Sequence, residues 1–540
     1  MQPIFFNVTP ARTKISIAGP GFVLEQDNWN DHHFMTQYIL SYQNEEKNTI
    51  HIGSVKILKR GQTKNDGLQI SLNFEELSND FCSVGNSLDY YERLRQLGEI
   101  GTRALQALRD VVELPQLRAE FSTEPGWTIS LFRDQVDQGE RFRLLAHGLV
   151  SGHYSKVPED QQSFTFRMSG WNAALNVSTA SDEPFSYLGK ALPERINVVV
   201  GRNGSGKSTL LARLARVAFG SPSERENTPL SDLGNLEPKG IGYPRIVTVA
   251  FSPFDCFKLP GSDDRNRFQI AKDMEMGNGR FVFIGLRDFS AEVEQFDPST
   301  DQSPVRQFSQ LDDRVDQTRL KSISQLSQEF ARFREKILKR RRDSVLKAAL
   351  SRLEVGLFRE DWAQSATGLS EAEVMKWFHN CSTGHKITLL VVFGLVANME
   401  PNSLVLFDEP ETHLHPPLLS AMMHALRSIL EHFGSTALVA THSPVVVQES
   451  LARHVHVVRR EGDLTTISPV SIETFGESIG LITSQVFGME SNATDFHRAL
   501  DLLITKFKDM EKIENLFKDG IMSQQGRAYV LSRMPRDSES

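Results

Sequence analysis

The chain has 540 residues, which is enough for roughly three to four domain-sized units with separate cores. Its formal net charge of −8 argues against a surface that coats nucleic acid over its whole area, although local basic patches remain compatible with it. Cys82, Cys256 and Cys381 lie far apart and outside any C-x-x-C arrangement, so they indicate neither a disulfide framework nor a zinc site. The apolar runs are too short for a signal peptide or a membrane span, and we expect a cytoplasmic protein.

The first third of the chain predicts a β-rich region. Residues 1–190 alternate apolar and polar positions in short runs, which is typical of a mostly antiparallel sheet, and Leu88–Val112 interrupts them with helical spacing. Asp31-His32-His33 could ligate a metal, but a solvated loop is the simpler interpretation because no further ligand stands at a defined spacing. Phe185 and Tyr187 could stack on an adenine ring or pack in the sheet, and the residues alone leave both alternatives open.

A phosphate-binding loop follows the first strongly apolar strand. Ile196–Val200 is almost wholly apolar and β-branched, as in a strand buried on both faces, and the loop after it matches G-x-x-x-x-G-K-[ST]. Its glycines let backbone N–H groups approach phosphate oxygens, and the helix that follows adds the positive end of its dipole. Lys207 would reach the β- and γ-phosphates, and the Ser208 hydroxyl would ligate Mg²⁺. The predicted nucleotide-binding residues are Arg202, Asn203, Gly204, Ser205, Gly206, Lys207, Ser208 and Thr209.

The α/β pattern continues once more and then breaks. Ser221–Pro244 is rich in Ser, Pro, Gly and acidic residues, which predicts a surface excursion. Arg245–Phe251 predicts a second buried strand, and its exit at Ser252–Asp255 lies where such a sheet places residues that face a ligand. Residues 259–370 predict a helical insertion, with apolar positions at helical spacing between Val305 and Leu353.

The insertion carries a dense basic run from Arg332 to Arg342. One interpretation is a docking surface for a phosphate backbone or an acidic partner. The other is a solvated helix face whose charge is balanced by Glu335 and Asp343. The sequence favours neither of them.

Residues 371–460 resume the α/β pattern and supply the remaining candidate site residues. Ser403–Phe407 predicts a buried strand that ends in Asp408 and Glu409, of which the first would hold Mg²⁺ and the second would polarise the attacking water. His442 follows another strand and could contact the γ-phosphate. The alternatives are a buried strand merely capped by acids and a structural histidine. The remaining residues, 461–540, predict a short strand followed by helices.

A second anion-binding helix start lies at Ser382-Thr383-Gly384, where small residues allow a backbone to approach a phosphate. The chain already has one phosphate cradle, so a second cradle needs a second nucleotide surface. The order of the motifs therefore predicts a homodimer, or a higher homo-oligomer, in which ATP lies between two subunits arranged head to tail.

The motifs GRNGSGKST, CSTGHK, LVLFDEPETHLHP and VATHSP, taken in this order, resemble the ATP-binding-cassette heads of SMC-like and OLD-like ATPases over residues 190–460. The resemblance implies ATP and Mg²⁺ as cofactors and a RecA-like α/β head, with an N-terminal β subdomain, a helical insertion and a helical C-terminal tail. It assigns Lys207 and Ser208 to the Walker A motif and Asp408 to the Walker B motif, with Glu409 as the catalytic glutamate. Ser382 and Gly384 would belong to a signature motif that acts on the nucleotide of the other subunit. Glu411–His415 would form the D-loop, and His442 would be the switch histidine. The implied domains are 1–190, 191–258, 259–370, 371–460 and 461–540.

The chain departs from the transporter pattern. Thr383 and His385 replace Gly and Gln in the signature, and no Gln lies between Ile241 and Lys258 to act as the Q-loop residue. No TOPRIM-like D-x-D with an upstream Glu follows residue 460. An OLD-like head with a medium helical insertion resembles PtuA-type ATPases of Septu anti-phage systems, which also occur beside retron reverse transcriptases.

That resemblance implies partners. A PtuA-type ATPase would hold and regulate an HNH nuclease of the PtuB type and, in the retron version, would contact a reverse transcriptase and its RNA–DNA product. The predicted function is therefore an ATP-hydrolysing regulatory subunit of an anti-phage complex. Its rivals are an SMC-like DNA-repair clamp, a transporter ATPase and a self-contained nuclease.

Overall fold

The computed structural model describes residues 4–11, 19–27, 33–67, 69–133, 139–154, 162–179, 192–227, 229–261, 264–293, 313–315, 317–353, 370–462, 464–487 and 495–534. Asp31 and His32 of the candidate metal cluster lie outside these ranges, as do the two aromatic residues considered for adenine stacking, Phe185 and Tyr187. Across the described ranges, no helix combines the length and the apolar character that crossing a membrane requires.

The N-terminal region forms a sheet of its own. Its strands are β1 (Phe6–Thr9), β2 (Gly21–Gln26), β3 (Gln37–Gln43), β4 (Thr49–Lys59), β5 (Asn73–Phe74) and β6 (Phe81–Gly85). They are ordered β5-β1-β2-β3-β4-β6. Every pairing is antiparallel except that of β1 with β2, so the predicted mostly antiparallel sheet is confirmed.

The helical excursion is larger than the sequence predicted. It comprises α1 (Leu88–Gln96), α2 (Glu99–Ala107), α3 (Leu117–Phe121), a π-helical turn (Trp127–Leu131) and α4 (Gly139–Ser151). The helical spacing predicted over Leu88–Val112 corresponds to two helices, because Gly98 adopts φ 60° and separates α1 from α2. The helices and the sheet share one apolar core, which includes Phe22, Tyr91 and Phe142.

A small sheet joins this region to the nucleotide-binding half. Next along the chain come β7 (Phe164–Met168), β8 (Leu175–Val177), β9 (Ile196–Gly201) and β10 (Gly234–Glu237). Three of them pair in the order β10-β7-β8. The predicted surface excursion Ser221–Pro244 therefore contains a paired strand, whose Gly234 and Leu236 are buried against the phosphate-loop helix although its other residues are exposed.

The central sheet contains β9 together with β11 (Ile246–Ala250), β12 (Phe281–Gly285), β13 (Leu404–Asp408), β14 (Thr436–Thr441), β15 (Val455–Glu461) and β16 (Leu464–Pro469). The order is β12-β11-β13-β14-β9-β15-β16, and only the β15–β16 pair is antiparallel. β14 thus lies between the strand before the phosphate loop and the strand that ends in the acidic pair. The parallel strands bring their carboxyl ends to one edge, where such sheets bind ligands.

Helices cover both faces of this sheet, as expected for a parallel sheet. They are α5 (Lys207–Phe219), α6 (Pro222–Glu226), α7 (Asp264–Glu275), α8 (Phe289–Val293), α9 (Ile323–Lys339), α10 (Asp343–Leu353), α11 (Glu371–Asn380), α12 (Thr383–Asn398), α13 (Pro416–Phe433) and α14 (Pro444–Gln448). A 3₁₀ turn, Ala452–His454, precedes β15. The architecture confirms the predicted α/β fold: a RecA-like head with an N-terminal β subdomain and helical additions.

The predicted helical insertion 259–370 needs two corrections. β12 lies inside it and forms the edge of the central sheet, because Phe281–Gly285 is a short apolar run that fits a buried strand. Within the described residues, the helical pattern predicted from Val305 to Leu353 includes α9, which Ser322 caps and which begins at Ile323, and the pattern breaks at Arg341, which adopts φ 53°. α9 then packs against α12 through Phe330 and Phe393, whose rings lie 4.6 Å apart.

Three residues of the basic run Arg332–Arg342 are turned inward. Lys336 donates to the side-chain oxygen of Asn398 at 2.8 Å, and Arg340 and Arg342 pair with Glu400 at 2.6 Å and 2.9 Å. The docking-surface interpretation is therefore wrong for these three residues. The solvated-face interpretation fits Arg332, Lys339 and Arg341, which are exposed, and Lys339 pairs there with Glu335.

The C-terminal region adds helices, as predicted. They are α15 (Ile479–Gln485), α16 (Asp495–Phe507), α17 (Met510–Glu514), a 3₁₀ turn (Lys518–Gly520) and α18 (Gln524–Arg533). The last three helices enclose a small separate core that includes Leu500, Ile513 and Val530.

Candidate nucleotide site

The phosphate loop requires glycine at its turns. Gly204 and Gly206 adopt φ 78° and 96°, in the left-handed region that side chains disfavour. At Gly201 the requirement is steric, because a Cβ there would stand 2.5 Å from the carbonyl oxygen of Val458 on the neighbouring strand. The loop therefore has the backbone freedom that a phosphate cradle needs, and α5 begins directly after it at Lys207.

Lys207 and Ser205 carry polar groups suited to phosphate. Lys207 is 5% exposed, and its ammonium group donates to the carbonyl oxygens of Gly201 at 3.0 Å and Arg202 at 3.3 Å. Burial lowers the pKa of Lys207, and the nearby acids only partly oppose that shift. The Ser205 hydroxyl is buried and has no hydrogen-bond partner in the structure. An anion with several oxygen acceptors would satisfy both groups, so the residues fit a bound phosphate.

The predicted metal ligands meet across the two strands. The Ser208 hydroxyl donates to Oδ1 of Asp408 at 3.1 Å, which joins the start of α5 to the end of β13. Burial raises the pKa of Asp408 to about 7, and the neighbouring Glu409 adds to the rise. A hydroxyl and a carboxylate at this spacing are hard oxygen donors of the kind that Mg²⁺ uses. A divalent cation would also favour the charged form of the buried carboxylate, so the residues fit the metal.

Glu409, Glu411 and His442 form a second group at the same edge. Glu411 accepts hydrogen bonds from the Thr441 hydroxyl at 2.8 Å and from the His442 backbone N–H at 2.7 Å. Its Oε1 also lies 3.0 Å from Nδ1 of His442, whereas Oε1 of Glu409 lies 3.7 Å from the same nitrogen. Glu411 therefore fixes the end of β14 and the orientation of the imidazole. The sequence had placed it only in the D-loop.

Glu409 combines accessibility with an unusual backbone. Its side chain is 33% exposed, its backbone N–H donates to Ala440 on the neighbouring strand, and its φ is 45°. Non-glycine residues rarely adopt this conformation, and it clusters at functional sites. The strand end thus directs one carboxylate, Asp408, into the protein and leaves the next one able to reach water.

An aromatic residue missed in the sequence lies over the loop. A Cβ added to Gly206 would stand 3.0 Å from Cζ2 of Trp171, which belongs to the turn between β7 and β8. The Ser-Gly-Trp-Asn turn was visible in the sequence, but its position over the loop depends on pairing with β10, far along the chain.

The loop after β11 brings a further carboxylate to this edge. Asp255 is close enough to Asp408 to contribute to the rise in its pKa. Burial raises the pKa of Asp255 as well, and the Arg287 guanidinium, 3.7 Å away, opposes that rise. The segment between Ile241 and Lys258, in which the sequence has no Gln, thus brings a carboxylate to this edge.

The segment predicted as the signature lies at the surface beside the segment predicted as the D-loop. Ser382 is exposed and caps α12, where its hydroxyl accepts from the His385 N–H at 3.3 Å. A Cβ on Gly384 would stand 3.3 Å from the carbonyl oxygen of His413, so only a small residue lets the two segments meet this closely. His415 caps α13 by accepting from the Leu418 N–H, which gives one D-loop histidine a structural role.

Comparisons with known proteins identify relatives of this chain. A family profile described as "AAA domain, putative AbiEii toxin, Type IV TA system" matches residues 251–448, which include Ser382, Asp408, Glu409 and His442. Protein ea59 of Escherichia phage lambda is 30% identical over 528 residues, and the alignment covers 94% of this chain and 93% of ea59.

Two solved structures resemble the chain at low similarity. They are the SmcHead bound to the C-winged helix domain of ScpA (13% identity, TM-score 0.25, 58% of this chain and 97% of that chain) and UvrA2 from Deinococcus radiodurans (16% identity, TM-score 0.26, 61% and 40%). TM-scores this low carry no argument about function. The sheet order, the assembled site, the AAA-domain match and the full-length relative together identify the chain as an ABC-like ATPase that belongs to the family of protein ea59 of Escherichia phage lambda.

Proposed function

We propose that two copies of this chain close around ATP and Mg²⁺, hydrolyse the nucleotide and thereby regulate a bound nuclease. The proposal depends on one observation: within each chain, the predicted site residues lie in two separate places. The phosphate loop, Asp408, Glu409 and His442 are joined at one edge, whereas Ser382 stands exposed on the start of α12. An exposed helix start with a serine cap suits a phosphate supplied by another subunit.

Each residue has a separate task in hydrolysis. Lys207 and the loop N–H groups bind the β- and γ-phosphates, and Ser208 and Asp408 hold Mg²⁺, which neutralises charge on the phosphate oxygens. Glu409 orients water and accepts its proton. His442, held by Glu411, contacts the γ-phosphate and so distinguishes ATP from ADP. Ser382 and the backbone around Gly384 complete the site from the partner subunit.

Paired variants test the dimer. Lys207→Ala is expected to raise the Kd for ATP at least about a hundredfold and to remain monomeric with ATP, because the buried cation at the loop is lost. Glu409→Gln should bind ATP normally, lose about a hundredfold or more in turnover and elute as a dimer. Lys347→Ala, an exposed lysine on α10, serves as the matched control and should behave as wild type. Glu409→Gln with unchanged turnover would contradict the catalytic assignment.

The proposal of a nuclease partner depends on fewer observations than the proposal of the dimer does. The E-T-H-L-H-P form of the D-loop and a helical insertion of medium length support a PtuA-type role, with an HNH nuclease of the PtuB type and, in a retron setting, a reverse transcriptase with its RNA–DNA product. The phage origin of the ea59 relative fits a role in conflict between phage and host.

Reconstitution tests the partner. The chain should co-purify with a nuclease encoded in its own operon, and plasmid cleavage by the complex should change when ATP is replaced by a non-hydrolysable analogue. A complex with Lys207→Ala should lose that dependence on the nucleotide. If the purified chain alone instead binds duplex DNA in an ATP-dependent manner and no nuclease accompanies it, the SMC-like clamp is the better description.

A further inference from the structure

A short segment of the helical insertion lies against the nucleotide-binding half before α9 begins. It comprises residues 313–315 and 317–321, which we call the clasp. The backbone N–H of Lys258, in the loop after β11, donates to the carbonyl oxygen of Asp313 at 2.8 Å. The backbone N–H of Lys321 likewise donates to a carbonyl oxygen directly after β12, at 2.7 Å. The clasp therefore runs along the exits of two parallel strands of the central sheet.

The Asp313 side chain ties the clasp to α5, the helix that follows the phosphate loop. One carboxylate oxygen lies 2.7 Å from Nε of Arg213 and the other lies 2.9 Å from Nη1 of Arg216, and all three side chains are largely buried. Among the described residues, no other acid pairs with either arginine. Without Asp313, two buried guanidinium groups would lack an acid, so this one carboxylate holds both arginines in place.

Arg213 also contacts the turn that lies over the phosphate loop. Its Nη1 donates to the carbonyl oxygen of Ser169 at 3.3 Å, while its Nε donates to Asp313. Ser169 lies two residues before Trp171, whose ring would stand 3.0 Å from a Cβ on Gly206. Because a guanidinium group is planar and its donors have fixed directions, pairing Nε with Asp313 also fixes the direction in which Nη1 donates. A continuous series of contacts thus joins the clasp to the phosphate loop.

The backbone of the clasp contacts a second side of the same site. β11 ends at Ala250, which pairs with Asp408 in the sheet, so the loop after β11 starts beside a predicted metal ligand. Within that loop, Asp255 accepts a hydrogen bond from the Phe257 N–H at 3.1 Å. The bond from Lys258 to the clasp follows directly and holds the end of the loop.

We propose that Asp313 is a positioning residue for the nucleotide site, through which the helical insertion acts on ATP binding. Its carboxylate orients Arg213 and so holds the Trp171 turn against the phosphate loop, while its backbone oxygen holds the loop that starts beside Asp408. The inference rests on the proposed function and adds a route of regulation to it. A partner that moves α9 would also move the clasp, because α9 begins two residues after Lys321, and ATP affinity would change.

The affinity for ATP in two single variants and their combination tests the side-chain contacts. Arg213→Met removes the bond to Ser169 and leaves Asp313 paired with Arg216, so no buried acid loses its partner. We expect it to raise the Kd for ATP about fivefold and to leave kcat within about twofold of wild type, since the acidic pair after β13 is untouched. Asp313→Asn should raise Kd by a similar factor. The double variant should be no weaker than either single variant, because both substitutions act through one contact.

Trp171 provides a spectroscopic readout of the turn. Its emission is the difference between each protein and its Trp171→Phe counterpart, and it should move to longer wavelength in Arg213→Met and Asp313→Asn because the ring becomes more hydrated. Glu226→Gln breaks an exposed pair between α6 and Lys239 and serves as the matched control. It should leave both the Kd and the emission of Trp171 unchanged.

Unchanged ATP affinity in Arg213→Met would overturn the proposal, as would a double variant whose loss equals the product of the two single losses. If Asp313→Asn does not fold, Arg213→Met in a Trp171→Ala background decides instead. It should have no further effect on Kd there, and an effect of full size would overturn the proposal. If wild type binds ATP without hydrolysing it, the proposed function fails, whereas the comparison of affinities still decides this inference.

Discussion

Charged residues gather at both ends of the same parallel strands, and the two groups are organised in opposite ways. At the amino ends, Arg245 precedes β11 and pairs with Glu92 at 2.8 Å, while Glu400 precedes β13 and pairs with Arg340 and Arg342. At the carboxyl ends, the buried Lys207 donates only to carbonyl oxygens of its own loop. The first group satisfies its charges internally, whereas the second keeps charge available for a ligand.

The pKa values express the same difference. Burial tends to raise the pKa of Glu400, but Arg340, Arg245 and Arg342 outweigh it, and the net shift is downward. At the other end, burial raises the pKa of Asp408 to about 7 and the nearby cation does not compensate. A carboxylate with a lowered pKa is already paired within the protein, whereas one with a raised pKa lacks a cation that a metal can supply. Both groups contain buried charged residues, so burial and charge alone would not have distinguished the structural group from the ligand-binding group.

Substitution of Glu400 should give the largest effect among the tests of this difference between the two ends of the strands. Glu400→Ala leaves two guanidinium groups without their acid, and we expect a loss of about 3 to 5 kcal/mol in the free energy of unfolding, measured by urea titration. ATP affinity of the folded variant should stay within about twofold of wild type. Glu335→Ala breaks the exposed pair with Lys339 and should change stability little. Reduced ATP affinity in a stable Glu400→Ala protein would show that the two ends are not separate.

The second effect concerns Glu411 at the carboxyl end. Glu411→Ala removes the acceptor that holds Thr441 and His442, so ATP turnover should fall about a hundredfold, or about 2.7 kcal/mol in transition-state free energy. Nucleotide affinity should change little because the phosphate loop is untouched. Glu411→Gln keeps an acceptor oxygen and should retain more activity. Full turnover in the alanine variant would contradict the positioning role.

The smallest effect is a pH dependence at the amino end. Burial, aided by the charges of Arg340 and Arg245, lowers the pKa of Lys336 to about 7, whereas an unfolded lysine titrates near ~10.4. Between pH 7 and 9 the unfolded chain therefore binds more protons at this residue, and stability rises with pH. Relative to Lys336→Met, wild type should gain up to roughly 1 kcal/mol per pH unit in urea unfolding. A difference that stays flat over this range would mean that Lys336 remains charged when folded.

Much of the nucleotide-binding half could be predicted because its signals are local. The strands before the phosphate loop and the acidic pair were placed within one residue, since apolar runs end abruptly in Gly, Asp or Glu. The short strand β12 was missed, because Phe281–Gly285 carries no period of its own beside the longer helical pattern that follows it.

The partners of charged side chains could not be predicted. Arg340 reads as part of a basic run in the sequence, and its partner Glu400 lies 60 positions away. Trp171 was overlooked for the same reason, because its position over Gly206 depends on how the small sheet pairs. The sequence therefore predicts where charge lies along the chain, and the fold decides whether that charge is structural or available to a ligand.

In the proposed dimer, the close approach of Gly384 to His413 would link the two nucleotide sites. In a closed dimer, a nucleotide held by one subunit would press on the Ser382 turn of the other, and that turn abuts the segment carrying Glu411. The same carboxylate orients the imidazole of His442 in its own chain. Nucleotide binding at one site of the dimer would thereby affect the other site through a few ångströms of backbone. The two ATP molecules would then be hydrolysed in a coupled manner.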